Sequence, residues 1–323
     1  MKAPIYSISE RPEKLSLSHE VKMSEQVKHA HEEARKRFLA DRSKCYQRHI
    51  REVWSDLDGR FSPCTEECKK GCTHFPKADR EVKPITREEA ASIILKYEWL
   101  AADNKNKAPL GRGVEACYGL FLSGELIGAN CLGTMGGKVG DICGSLYDKK
   151  TGYLMRGACV HYAPMHAASF FTTMTCKLAH KDMGWGVFFA YSDTDDASEV
   201  GTVYQACGWH YIGTGLGRSE GGHHADFLSP DGNRIITSYQ LNHDKERKIL
   251  KSLGWKHDEN AKELMRPWLR NEGWTEIKRY GKKKWITFVG TDAEKREMRA
   301  ACRYTLDLPY PKDRTPKVRT TKT

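Results

Sequence analysis

Apolar and charged positions alternate every three to four residues in the N-terminal region, which is the spacing of an amphipathic helix. This pattern predicts one long helix over residues 20–55, ending at Asp58-Gly59. A further helix is predicted after Thr86, because Thr86-Arg87-Glu88-Glu89 has the form of a capping box. Its predicted apolar face carries Ala90, Ile93, Ile94 and Tyr97. Residues 1–83 are therefore interpreted as a helical N-terminal extension.

The pattern then changes to short apolar runs separated by turn residues, which is typical of strands. Strands are predicted at 116–122, 126–132, 153–162, 186–192 and 209–213, with helices at 167–182 and 199–207. This order predicts an α+β (mixed α/β) domain over residues 84–216, built on one central sheet with flanking helices. Residues 217–323 are interpreted as a C-terminal extension, with a short strand at 284–289.

Charge is unevenly distributed along the 323 residues. The chain has 53 Lys and Arg against 42 Asp and Glu, a formal net charge of +11. Residues 275–323 alone hold 14 basic and 6 acidic side chains. Such a segment is typical of a polyanion contact or of a solvated tail. The predicted DNA-phosphate contacts are Lys278, Arg279, Lys282, Lys283, Lys284, Arg314, Lys317 and Arg319.

Localisation and redox state follow from what the sequence lacks. The longest apolar run, residues 184–191, is far shorter than the roughly 20 residues of a membrane-spanning helix. The first residues have no apolar stretch typical of a secretory signal, so a cytoplasmic protein is expected. Eleven cysteines, an odd number, favour free thiols with one metal cluster over a disulfide framework.

The densest cysteine cluster is Cys64-x3-Cys68-x3-Cys72, followed by His74. Cys64 and Cys68 share a helical face at i, i+4, and Gly71 allows the chain to turn back. A tetrahedral Cys3His zinc site is the preferred interpretation, because it would stabilise a segment with little core of its own. An iron–sulfur cluster also accepts three cysteines, and unpaired thiols on a short helix are the remaining alternative.

Candidate catalytic groups follow the predicted strand 186–192. The strand delivers Asp193 to its carboxyl end, where open α/β sheets place ligands. The next helix presents Tyr204, whose hydroxyl suits proton donation to a developing anion. The alternative role of Tyr204 is that of a core aromatic.

The strand–helix–strand unit around Tyr204 resembles the end of the GNAT acyltransferase fold, in which the matching Tyr protonates the leaving thiolate. GNAT enzymes also have a Gly-rich loop that binds the coenzyme A pyrophosphate at a helix N-terminus. The corresponding residues 160–170 lack that pattern. A coenzyme A thioester therefore stays a candidate donor without a recognisable binding loop, and the donor is unknown.

Several motifs narrow the resemblance. They are the Asp-ended strand, Gly201-Thr202-Val203-Tyr204-Gln205-Ala206, the Trp209-x-Tyr211-x-Gly213 strand, Pro164 followed by Ala167-Ala168-Ser169-Phe170, and Tyr310-Pro311-Lys312. Together they resemble the phage Mom DNA-modification proteins, over residues 85–216 and the late Tyr-Pro-Lys element. The resemblance implies conversion of adenine N6 in double-stranded phage DNA to a carbamoylmethyl form, which protects the DNA from restriction.

The resemblance also implies roles for individual residues. Asp193 and Tyr204 match the functional Asp and Tyr of the Mom family, and Ser169 matches its helix-start Ser. The family has been linked to iron through an early His, whose nearest position here reads Tyr97-Glu98-Trp99. A target base must leave the duplex, so the substrate pocket needs stacking and polar groups. The candidates for that pocket are Trp99, Glu98, His161, His166 and Tyr162.

Two other functions are open at this point. The first is an ordinary GNAT acetyltransferase acting on a protein or small-molecule amine. The second is a non-catalytic nucleic-acid-binding protein on a degenerate GNAT scaffold.

Overall fold

A computed structural model of the protein describes residues 24–98, 110, 113–134, 142–144, 147, 150–193, 197–215, 226–231, 235–237, 240–241, 247–257, 261–277 and 281–312. Six of the predicted site residues lie outside these ranges: Trp99, Lys278, Arg279, Arg314, Lys317 and Arg319.

The N-terminal region contains two helices, α1 (Glu25–Ala40) and α2 (Tyr46–Asp58). The prediction of a single helix over residues 20–55 is therefore wrong. The helix breaks at Asp41, whose carboxylate accepts the Ser43 backbone N–H at 3.0 Å and so offers the chain a turn instead of another helical step. The second helix ends at Gly59, which adopts the left-handed conformation that glycine tolerates.

The remaining elements follow in chain order. They are β1 (Arg80–Pro84), α3 (Arg87–Tyr97), β2 (Val114–Leu122), β3 (Glu125–Gly133), β4 (Thr151–Cys159), α4 (Ala167–Met183), β5 (Val187–Ser192), α5 (Thr202–Ala206), β6 (His210–Thr214), β7 (Asp226–Leu228), β8 (Ile235–Ile236), α6 (Lys248–Lys251), α7 (Met265–Asn271), β9 (Thr275–Ile277), β10 (Lys283–Phe288) and α8 (Asp292–Ala301). The capping box predicted at Thr86 is present in full, since the Thr86 and Glu89 side chains each accept the other residue's backbone N–H.

Seven strands form the main sheet in the order β1-β2-β3-β4-β5-β10-β6. Neighbouring strands are antiparallel except β4 and β5, which are parallel and are connected through α4. This topology confirms the predicted α+β (mixed α/β) class with a GNAT-like central sheet and flanking helices. The predicted hairpin is also confirmed, because β2 and β3 pair across Ser123-Gly124.

The strand β10 lies inside the sheet, between β5 and β6. Its Trp285 faces Ala190 of β5 and Tyr211 of β6 in the register, and Trp285 Nε1 donates to Ser192 Oγ at 2.9 Å. Trp285 is completely buried. The segment interpreted from sequence as a C-terminal extension therefore supplies a central strand of the main sheet.

The two N-terminal helices pack on the main domain through α3. His31 Nε2 lies 2.7 Å from the Leu95 carbonyl oxygen, and Trp54 Nε1 donates to the Lys96 carbonyl at 3.1 Å. A second sheet, in the order β8-β7-β9, packs with α6 and α7 around buried Phe227 and Leu269. None of the helices in the described part of the chain is long and apolar enough to cross a membrane.

Candidate functional site

A cavity of about 230 Å³ opens where β4 and β5 separate. Their parallel pairing ends at Leu154 and Ala190, and both strands continue beyond it, to Cys159 and Ser192. The walls are residues from both strand ends, the first turn and a half of α4, the loop before α5, and α5 itself. The cavity thus lies at the carboxyl ends of the two parallel strands, where the sequence predicted a ligand site.

Asp193 stands in this cavity directly after β5 and is buried. Its Oδ2 lies 3.4 Å from the Lys282 ammonium, which comes from the residue before β10. The Asp193 carbonyl oxygen also accepts the Glu199 N–H at 2.9 Å, which closes the loop between β5 and α5. The structure therefore places a carboxylate and an ammonium together at the cavity wall.

Tyr204 also lines the cavity, on the short helix α5. Its ring packs at 5.0 Å from Trp209 and 5.7 Å from Trp285, centroid to centroid. Burial, and then the nearby charge of Glu199, raises the pKa of Tyr204 well above its usual value. The hydroxyl is therefore protonated at neutral pH, the state that a proton donor needs.

Gly201 brings α5 close to the sheet. It has φ of 73°, and a Cβ at this position would lie 2.3 Å from ring atoms of Trp285. Only glycine satisfies both the left-handed backbone and this close approach. The Gly-Thr-x-Tyr sequence is therefore explained by packing. Gly201 lets α5 lie close to Trp285, and α5 carries Tyr204 in the cavity wall.

Glu199 is a site residue that the sequence analysis missed. It lines the cavity, and burial together with the charges of Glu98 and Asp193 raises its pKa to about 8. It holds its proton at neutral pH, and a pKa near the working pH suits acid–base catalysis. Its only signal in the sequence is a carboxylate shortly before the Gly-Thr step, because burial is not visible there.

The N-terminal helices contribute to the cavity as well, through Cys45, Gln47 and Arg51. Gln47 Nε2 donates to the Gly157 carbonyl at 3.2 Å, and Arg51 donates to the His161 carbonyl at 2.9 Å. These contacts bring α2 against the end of β4. The sequence analysis did not assign any part of the site to this region.

The five predicted substrate-binding residues do not all line the cavity. Glu98 lines the cavity, with its Oε2 3.8 Å from Arg156 Nε. His161, His166 and Tyr162 are not among the residues that line it. The fifth, Trp99, lies outside the described residues.

His161 holds together parts of the scaffold. Its Nδ1 lies 2.8 Å from the Tyr97 hydroxyl and its Nε2 lies 2.9 Å from Asp58 Oδ1. Burial is the main cause of a lowered His161 pKa. Both ring nitrogens are engaged, so His161 connects α2, α3 and the segment after β4.

Tyr162 and Ser169 also have local partners outside the cavity. Tyr162 donates to Glu125 at 2.6 Å, and the Arg60 guanidinium lies 3.2 Å from its ring centroid. Ser169 Oγ donates to the His166 carbonyl at 3.1 Å. Of the residues predicted to act on the substrate, Asp193, Tyr204 and Glu98 line the same cavity, and Ser169 does not.

The described lysines predicted to contact DNA are not on one open face. Lys282 lines the cavity beside Asp193. Lys284 places its ammonium 4.5 Å from the Tyr304 ring centroid, and burial lowers the pKa of that ammonium. Lys283 is half-buried in β10. The other predicted phosphate contacts, Lys278, Arg279, Arg314, Lys317 and Arg319, lie outside the described residues.

The three predicted cysteine ligands do come together. The Sγ atoms of Cys64, Cys68 and Cys72 all lie within 4.8 Å of one another. His74 is not part of this group, which differs from the predicted Cys3His set. Across the described ranges no other His, Cys, Asp and Glu side chains form such a group, so the cavity residues described do not fit an iron site.

By the resemblance to GNAT enzymes, the start of α4 corresponds to their pyrophosphate loop. Here the Met165 N–H donates to Cys64 Sγ at 2.9 Å, and His166 Nε2 lies 3.1 Å from the Cys68 carbonyl oxygen. The cysteine segment thus packs against the start of α4.

The cavity, its Asp and Tyr, and the mixed sheet define a GNAT-like α/β protein with a site at the strand ends. The sequence model of the Mom protein family matches residues 79–300. The chain therefore belongs to the Mom family, and the expectation from its motifs is confirmed. No curated protein sequence matches the chain.

Solved structures similar to this chain are acetyltransferases. They include an acetyltransferase of Bacillus subtilis in complex with CoA (14% identity, 66% of this chain and 99% of that chain, TM-score 0.33), the IAA acetyltransferase of Bacillus cereus (15%, 65% and 99%, 0.32) and a GNAT family acetyltransferase of Elizabethkingia anophelis with acetyl-CoA bound (12%, 66% and 100%, 0.32). Identities this low do not transfer a ligand or a substrate to this chain.

Proposed function

We propose that this protein is a transferase that modifies DNA, converting adenine N6 to its carbamoylmethyl form and so protecting phage DNA from restriction. The observation that carries the proposal is the meeting of Asp193 and Tyr204 in one cavity, in a chain of the Mom family. These are the two residues that the family resemblance designates as functional.

The cavity supplies groups for both ends of such a transfer. Adenine N6 is a weak nucleophile because its lone pair is delocalised into the ring, so the reaction benefits from a base at N6. In the proposed step, N6 bonds to the transferred methylene carbon while the bond from that carbon to the leaving group breaks. Asp193 accepts the N6 proton, and Tyr204 gives its hydroxyl proton to the leaving group.

The surrounding charges support this division of roles. Lys282 places a positive charge 3.4 Å from the Asp193 carboxylate. Glu199 carries a proton at neutral pH and interacts electrostatically with Tyr204. It is therefore placed to return a proton to the tyrosinate after each turnover.

The proposed partner is double-stranded DNA. An exocyclic amine inside a duplex cannot reach a recessed cavity, so the adenine would be flipped out of the helix. The basic residues Arg314, Lys317 and Arg319 are proposed to hold the phosphate backbone while a single base occupies the cavity. Because Glu199 holds its proton, the charged groups of the cavity are Arg51, Arg156 and Lys282 against Glu98 and Asp193, so the cavity is only weakly positive.

The donor is proposed separately from the acceptor. The carbamoylmethyl transfer needs a donor that carries its leaving group on the methylene carbon. A coenzyme A thioester, the donor class suggested by the CoA and acetyl-CoA bound in two of the similar structures, reacts at its carbonyl carbon and would give an N6-acyl product, so it fits the acetyltransferase alternative.

Nucleoside analysis tests the proposal. The chain is expressed in bacteria, host DNA is digested to nucleosides, and mass spectrometry measures adenosine species. We expect a carbamoylmethyl-adenosine that Asp193→Asn abolishes, while Asp292→Asn, on an exposed carboxylate of α8, leaves it unchanged. Unmodified nucleosides from cells containing the folded wild-type chain would sink the proposal. Acetylation of an added amine by acetyl-coenzyme A would instead support the ordinary acetyltransferase.

A further inference from the structure

The cysteine triad Cys64, Cys68 and Cys72 lies outside the cavity and has no part in the proposed transfer. Cys68 is buried, and the other two are half-buried. Cys64 Sγ and Cys72 Sγ lie 3.2 Å apart, and no pair among the three exceeds 4.8 Å. Three thiols this close, in a segment of nine residues, are a preformed set of soft ligands.

We propose that the triad binds one zinc ion through three thiolates, and that this ion fixes the segment from Ser62 to Phe75 against the start of α4. Thiolates around a single tetrahedral zinc, with Zn–S bonds of about 2.3 Å, stand roughly 3.8 Å apart. The Cys64–Cys72 separation of 3.2 Å and the upper limit of 4.8 Å for the three pairs are compatible with that value. Water completes the coordination, since among the described residues no fourth ligand atom joins the three sulfurs.

The separations also distinguish one ion from a cluster. In a [4Fe–4S] cluster each thiolate ligates its own iron, so the sulfurs stand farther apart than around one ion. A Cys64–Cys72 contact of 3.2 Å favours ligands that share a single ion. The softness of three thiolates then selects zinc over magnesium, calcium or manganese.

The position of the triad explains what the ion would do. Three hydrogen bonds tie its segment to the chain between β4 and α4: Ser62 to the Ala163 carbonyl, the Met165 N–H to Cys64, and His166 to the Cys68 carbonyl. Phe75 closes the segment against Phe170 at 5.3 Å, centroid to centroid. The segment has little core of its own, so a metal would supply the stability that packing does not.

Metal analysis of the purified full-length chain, without a histidine tag and without chelators, tests this inference. We expect one zinc per chain by elemental analysis, and its release when the thiols are titrated with an organomercurial in the presence of a zinc-sensitive dye. Replacement by Co²⁺ should give the intense near-ultraviolet absorption of thiolate-to-cobalt charge transfer. Chelation should lower the Tm by roughly 5–10 °C.

Variants locate the ion. Cys68→Ser should lose the metal, whereas Cys302→Ser, at a cysteine beside α8, should retain one zinc per chain. His74→Ala should also retain it, because His74 stands outside the triad. Absence of metal from the folded chain, iron with acid-labile sulfide, a Cys64–Cys72 disulfide in the reduced-buffer preparation, or metal loss in His74→Ala would each overturn the proposal. If Cys68→Ser fails to fold, the cobalt spectrum of the wild-type chain still decides.

Discussion

The ammonium of Lys282 lies 3.4 Å from Oδ2 of Asp193, although the two residues come from segments that the sequence analysis treated as separate regions. The contact exists because β10 pairs with β5 along its whole length, which brings the residue before β10 to the end of β5. The basic character of this segment therefore serves the cavity as well as the surface.

Because Lys282 contacts Asp193, we expect its replacement to change the activity rather than the DNA affinity. Lys282→Met should lower the amount of modified adenosine by up to about 5-fold, since an ion pair with a largely exposed lysine contributes about 0.2–1 kcal/mol. The same change should leave the slope of DNA affinity against salt nearly unaltered. Lys295→Met, at a lysine of α8 that does not line the cavity, is the matched control. A large change of the salt slope with unchanged modification would assign Lys282 to phosphate binding.

Tyr204→Phe removes the proposed proton donor while keeping the ring on Trp209. We expect modification to fall by about 10²–10⁴-fold, the usual contribution of general acid catalysis, with the Tm within a few degrees of wild type. Tyr211→Phe provides the comparison, because the Tyr211 ring packs on the same Trp285 while its hydroxyl forms a hydrogen bond with Thr214. Equal activity of the two variants would argue for a packing role of Tyr204.

Glu199 should make stability depend on pH. The pKa of Glu199 is raised to about 8 in the folded protein, against about 4.5 in the unfolded chain. The contribution of Glu199 to the free energy of unfolding is therefore fully present below pH 4.5, and it is lost as the pH rises through about 8. Glu199→Gln removes this dependence and should gain stability relative to wild type, on the order of 1–3 kcal/mol at pH 9. Urea unfolding of both chains between pH 5 and pH 9 measures the difference. Parallel curves across that range would contradict a raised pKa.

The contrast between Gly201 and Gly208 tests the close approach of α5 to the sheet. Both have positive φ, but only at Gly201 would a Cβ meet Trp285, whereas nothing lies within 4 Å of a Cβ at Gly208. Gly208→Ala should cost about 1 kcal/mol for the backbone alone. Gly201→Ala should cost about 3 kcal/mol or more, because overpacking adds to the backbone strain. Denaturant unfolding of the two variants gives the values, and equal losses would contradict the steric contact.

The basic tail should act on DNA affinity alone. Replacing Arg314, Lys317 and Arg319 by Ala should reduce the slope of log affinity against log salt by about 0.9 for each phosphate that the variant no longer neutralises. Binding should weaken to a similar extent for all DNA sequences. The measurement is fluorescence anisotropy over a salt series, and an unchanged slope would remove the tail from the DNA interface.

The sequence predicted those elements whose causes are local. The hairpin of β2 and β3, the helix α4 and the capping box at Thr86 each follow from patterns within a few residues. The place of β10 between β5 and β6 follows from pairing with distant strands, which no local pattern encodes. The helix break at Asp41 was missed because the apolar spacing continues across it.

The residues of the candidate site also differ in whether local motifs or distant packing determine their place. Asp193 and Tyr204 could be predicted from the sequence because they occupy motif positions. Glu199 becomes a catalytic candidate only through its burial and its neighbours Glu98 and Asp193. The contribution of Arg51 depends on how α2 packs against β4, so it was not visible in the sequence.

The position of β10 also sets an order of events during synthesis. β5 and β6 both pair with β10, so β6 cannot join the sheet until the ribosome has released residues near 288. Until then the edges of β5 and β6 stand open, and Lys282 has not reached Asp193. Long-range pairing of this kind slows folding, so the nascent chain passes through a late stage with an incomplete cavity. A chain cut short before β10 would therefore be prone to aggregation as well as inactive.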